Sequence, residues 1–231
     1  MGPNSNQQFI PQPHNPSSSL WLQVAFWISI AISVAVVLRR VLALASPSQN
    51  LPPPLAALDH TFASHTALTL AHILPALAFV LISPLIVFRR FANLDWPERV
   101  FFPLGVLVAF TAYAMSVYSV GGWTERSAVL LFNTLFLMSL SVAYRYRLRG
   151  EQAFQRRWTL RSLAILLGIA TTRPVMGIFF ATSRLTHLVP SQFFGIAFWI
   201  GFSINTLAFE LWVHTHDRKF QHETLATISG H

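Results

Sequence analysis

The sequence predicts an all-α fold: a polytopic bundle of six transmembrane helices with both termini in the cytoplasm. Three observations carry this. Apolar residues make up 53% of the 231-residue chain and charged residues only 10%, against about 25% charged in an average soluble domain. Six apolar runs fill most of the length, and each reaches the ~17–20 residues needed to cross ~30 Å of hydrocarbon. None shows the alternation of a half-buried strand.

Residues 1–19 are rich in Pro, Ser, Asn and Gln and read as a disordered tail. The first run, 21–38, stops at Arg39-Arg40. Ala43-Leu44-Ala45 resembles a signal-peptide cleavage site, but the positive pair follows the run instead of preceding it, so it reads as an uncleaved helix. Pro52, Pro53 and Pro54 predict a loop over 46–59. The second run, 65–88, is closed by Arg89-Arg90, and the third, 100–120, by Gly121-Gly122. The fourth, 128–144, runs into Arg145, Arg147 and Arg149. The fifth and sixth span 162–182 and 193–213, leaving 216–231 as a cytoplasmic tail. Trp21, Trp96, Trp123, Trp158 and Trp212 fall near these ends, as interfacial aromatics do, whereas Trp27 and Trp199 do not.

Arginine sets the orientation. With the N-terminus inside, eleven basic residues lie on the inner side: Arg89, Arg90, Arg99, Arg145, Arg147, Arg149, Arg156, Arg157, Arg161, Arg218 and Lys219. Four lie outside: Arg39, Arg40, Arg126 and Arg184. Arg39 and Arg40 break the pattern locally, and snorkelling to outer headgroups is the available explanation. The formal charge of +8 is thus a membrane flank, and no groove-reading motif points to nucleic acid. The chain has no cysteine, which excludes disulfides, thiolate catalysis and cysteine-ligated metal. No phosphate-binding glycine loop, HExxH, GxSxG or paired carboxylates mark an enzyme.

Ionisable groups within a span are costly and suggest function. Arg173, followed by Pro174, lies ~18 Å along its helix from Arg161, near the expected midplane. On the same ladder His72, Tyr113, Asn133 and Asn205 join it in a central polar layer. This layer reads either as hydrogen-bonded helix contacts or as a hydrated cavity binding a small molecule, a quinone or a proton. Glu210 falls ~13 Å below Arg173, so Arg161 or Arg157 is its expected partner. His65 and His72 share a helix face ~10.5 Å apart, too far to ligate one metal ion or one haem together. His65 with His187 is the remaining pair for haem b, and His60, His65 and His187 for a peripheral metal; interfacial histidines are the plainer alternative.

Gln155 to Arg173 reads QRRWTLRSLAILLGIATTR, and Phe198 to Val213 reads FWIGFSINTLAFELWV. Together they resemble the carboxy-terminal signature of the bacterial membrane-protein family catalogued as domain of unknown function 2306. Arg157, Trp158, Arg161, Ser162, Arg173, Asn205 and Glu210 hold the matching positions. The chain departs from that pattern at Glu98-Arg99 and Gln155, where the family tends to carry histidine. The resemblance implies a multi-pass protein of the bacterial cytoplasmic membrane and brings no activity with it. Three functions stay open: small-molecule or proton handling around Arg173, a redox protein holding haem b or quinone, and a non-enzymatic assembly subunit.

Overall fold

The computed structural model describes residues 20–46, 53–88 and 96–229. The expected tail 1–19 and the Arg89-Arg90 stop lie outside the described residues. Among the described residues there are eight helices: α1 (Leu20–Ala45), α2 (Pro53–Ala63), α3 (Thr66–Val87), α4 (Trp96–Ser116), α5 (Gly122–Leu148), α6 (Gln152–Leu166), α7 (Gly168–Thr186) and α8 (Pro190–Ser229). With α6 and α7 counted as one, six segments are long and apolar enough to cross a membrane. This is the architecture of a multi-pass membrane protein. Large apolar side chains such as Leu42, Phe110, Leu185 and Leu211 stand exposed on the helices, far more than a soluble surface tolerates and suited to lipid.

Three expectations need correction. The 46–59 loop contains most of a helix, α2, because Pro53 and Pro54 occupy its first turn. The amide groups there have no intrahelical acceptor, so proline costs nothing. The fourth span starts and ends beyond 128–144, as α5 runs from Gly122 to Leu148. The fifth begins at Gln152, not at residue 162, because the arginine-rich segment is itself helical. Its cations find partners along the bundle: Arg156 donates to the Val87 carbonyl at 3.2 Å, and Arg161 lies over the Trp158 ring at 4.2 Å.

The fifth span is broken at Leu167, between α6 and α7. Pro174 has no amide hydrogen, which leaves the Ala170 carbonyl without its usual helical donor. Upstream the chain tightens: the Ala170 amide donates to Leu167, three residues back, at 3.0 Å.

Small residues then let helices approach closely, as in membrane bundles generally. A Cβ on Gly201 of α8 would lie 2.7 Å from the Thr172 amide nitrogen of α7, and one on Gly168 would lie 2.9 Å from the Phe202 Cα. Gly195 of α8 packs equally tightly on Thr124 and Glu125 at the start of α5. Trp199, unexplained by any boundary, donates to the Thr124 carbonyl at 3.1 Å and locks the same contact. Gly201→Val is expected to force α7 and α8 apart and lower stability by about 1–3 kcal/mol, the usual cost of overpacking, as read by thermal unfolding in detergent. A core of Phe79, Phe101, Phe136 and Leu140 joins α3, α4 and α5, with Phe79 stacked on Phe101 at 4.3 Å.

Candidate functional site

A cavity of about 260 Å³ runs through the middle of the bundle, walled by residues of every helix. One end is polar. There α1 supplies Arg40, α2 supplies Thr61 and Phe62, α3 begins with His65 ahead of its first turn, α5 supplies Glu125 and α7 supplies Arg173. The other end is apolar and is formed by Ala76, Val80, Phe136, Ile165, Leu166 and Phe202.

Arg173 dominates the polar end. Its Nε is buried and has no hydrogen-bond partner. The residue as a whole keeps partial exposure, and because it lines the cavity, the cavity is what exposes it. Arg40, Glu125 and Arg39 are the charged groups whose fields reach it. Glu125 is occupied elsewhere: its Oε2 accepts the Gly121 amide at 2.6 Å, closing the first turn of α5. A guanidinium carries five donors in a rigid fork, and leaving even one buried N–H without an acceptor is costly.

Arg39 and Arg40, the pair that disturbed the arginine asymmetry, have a local explanation. Asp59 on α2 receives both, Arg40 Nη1 at 2.5 Å and Arg39 Nη2 at 3.3 Å. Arg40 also lies over the Phe62 ring at 4.0 Å, a cation–π contact. Arg39 remains half exposed while Arg40 turns inward. The pair therefore latches α1 to α2 and brings a second guanidinium to the cavity.

The expected central layer separates into two groups. Arg173, His72 and Asn133 line the cavity; Tyr113 and Asn205 do not. Tyr113 bonds Thr134 between α4 and α5 at 2.7 Å. Asn205 accepts from Thr171 at 2.6 Å and donates to the Ala164 carbonyl at 3.4 Å, tying α8 to both α6 and α7. Asn133 ties α5 to α4 by donating to the Ala109 carbonyl at 2.9 Å. Arg173 comes near Glu125, in the first turn of α5, whose charge reaches it.

His72 Nδ1 is 2.9 Å from the Thr111 hydroxyl. That hydroxyl directs its one hydrogen to the carbonyls of Leu107 and Val108, at 2.8 and 3.0 Å. His72 is therefore the donor, which fixes the tautomer and leaves Nε2 as an acceptor. His65 packs its ring on Tyr118, with centroids 3.8 Å apart, at the cavity's polar mouth. His187 caps α7 in the left-handed conformation, φ 54°, stands exposed and is not part of the cavity wall. The opposed His65–His187 pair that a b-type haem requires is not brought together in the cavity. No three-residue histidine and carboxylate cluster able to hold a metal occurs among the described residues.

Arg161 and Glu210 meet away from the cavity. Arg161 Nε contacts Glu210 Oε1 and its Nη2 donates to Oε2 at 2.8 Å, a bidentate clamp between α6 and α8. Glu98 pairs with Arg147 at 3.1 Å.

No family model, curated protein or solved structure matches this chain.

Sequence reasoning missed Arg40, Asp59 and Glu125 as site residues. A signal existed for the first: Arg39-Arg40 was the one stretch that the orientation rule could not place. Nothing in the sequence aimed Glu125 at Arg173, since only folding brings α5 and α7 together.

Proposed function

We propose that this chain is a multi-pass membrane protein that binds a small, negatively charged molecule in its central cavity, with Arg173 as the anchor. The observation that carries the reading is the unpartnered, buried Nε of Arg173 at a cavity wall. An anion or water entering the cavity supplies the acceptor that this Nε lacks, whereas Tyr113, Asn133 and Asn205 are each hydrogen-bonded to a helix neighbour. A cavity of about 260 Å³ exceeds the ~150 Å³ that accommodates benzene and lies near the lower edge of ligand pockets. The arginine asymmetry supports an orientation with both termini in the bacterial cytoplasm and the polar mouth on the opposite face. Transport of the bound anion is the version of this function that a membrane-spanning bundle serves.

Thermal unfolding of the protein in lipid nanodiscs tests this with three probes of one shape. Benzoate is expected to raise the midpoint, benzamide and benzylammonium to leave it unchanged, and Arg173→Met to remove the benzoate effect. Equal stabilisation by benzamide, or a benzoate effect that survives Arg173→Met, would overturn the assignment.

A further inference from the structure

We propose that the ligand is a singly charged amphipath, its anionic head held between Arg173 and Arg40 and one unbranched apolar tail lying along the cavity. This deepens the reading that Arg173 anchors a ligand and rests on it.

The polarity of the cavity is the first ground. The charged lining residues Arg40, Glu125 and Arg173 gather at one end with His65, whereas the lining of α3, α5 and α6 ends on hydrocarbon, with Ser33, His72 and Asn133 as further polar groups below the mouth. The wall ends on α3 at Val80 and on α5 at Phe136. From His65 to Val80 is ~22 Å of helix, and from Glu125 to Phe136 ~16 Å. An occupant that reaches from the polar end to Val80 and Phe136 has to be elongated, as a single extended chain is.

Charge is the second ground. Arg39, Arg40 and Arg173 bring three formal positive charges to the polar end, and Asp59 and Glu125 two negative ones. One positive charge is left over, which a monoanion neutralises and a dianion overshoots. Guanidinium pairs recognise planar oxyanions bidentately, so a carboxylate head fits both the charge and the geometry. Arg40 is shared with Asp59, so it contributes less than Arg173.

The test uses the full chain in nanodiscs of zwitterionic lipid, with binding referred to free aqueous concentration. In the series butanoate, hexanoate, octanoate and decanoate, each methylene is expected to tighten binding about fourfold until the tail fills the cavity. Decylammonium and decanol are expected not to compete, and decyl phosphate, which carries the second charge, to bind more weakly than decanoate. Arg40→Gln is expected to weaken decanoate about tenfold. Ala76→Phe, which fills the apolar end without touching the head, is expected to move the best chain to a shorter one. That variant keeps the test decisive if the arginine variants misfold. Butanoate binding as tightly as decanoate, with Arg173 still required, would leave the anion site standing and overturn the amphipath. Competition by decylammonium or decanol as strong as by decanoate would overturn it too. Loss of benzoate binding as well would remove the underlying site.

Discussion

Replacing Arg173 with methionine is expected to make the protein harder to unfold, by about 1–3 kcal/mol, the cost of a buried polar group left unpaired. The reasoning is that the wild-type guanidinium holds an Nε with no acceptor and shares its end of the bundle with two further arginines. Methionine keeps the length and fills the space with hydrocarbon. If Arg173 were a packing contact between helices, its loss would lower stability, as loss of Asn205 should. Opposite signs therefore separate a functional cation from a structural one. Stability bought at the cost of binding is the usual signature of a residue kept for function. The readout is reversible unfolding in mixed micelles, Arg173→Met beside Asn205→Ala.

The second large effect is expected at the other arginine pair. Glu210→Gln strips the carboxylate from the bidentate clamp with Arg161. Removing one partner of a fully buried pair costs about 3–5 kcal/mol. Glu210 keeps partial exposure, 29% of its side chain, so solvent screening trims the loss to about 2 kcal/mol. Arg161 then keeps one neutral amide acceptor in place of a carboxylate, and the Trp158 ring beneath it retains part of the attraction. The double variant Arg161→Leu with Glu210→Leu is expected to recover most of the loss, because neither charge is then stranded. A single-variant loss that the double variant deepens would contradict this account of the clamp. Binding at the cavity should be untouched in both, since neither residue lines it.

The contrast between these two arginines also shows what the sequence made legible. Run length and charge scarcity were enough for the helical bundle and its six long spans, because a chain with so few charges has no other way to cover its backbone. Boundaries were less legible where rules of thumb met exceptions. Proline reads as a breaker, yet Pro53 and Pro54 begin α2. Arginine reads as a stop, yet Arg156 and Arg161 lie within α6 because Val87 and Glu210 receive them. The pairing of Arg161 with Glu210 followed from depth along two helices. Arg173 was legible as an oddity, but its surroundings were not. The break at Leu167, the glycine contacts that seat α8 on α5 and α7, and the inward turn of Arg40 all depend on tertiary packing. Tyr113 and Asn205 turn to Thr134 and Thr171 and not to the cavity, a direction that a ladder of rises along separate helices does not resolve.

The central claim is that an unpaired Arg173 makes the cavity attractive to anions. The chain has no cysteine, so a single introduced thiol reports on one place only. Ala112 lines the cavity from α4 and makes none of the site's polar contacts. In an Ala112→Cys protein, an anionic methanethiosulfonate is expected to react about tenfold faster than a cationic one of similar size, as a charged cleft concentrates its counter-ion. Adding Arg173→Met should bring the two rates together. Equal rates with Arg173 in place, or faster reaction with the cationic reagent, would contradict the account.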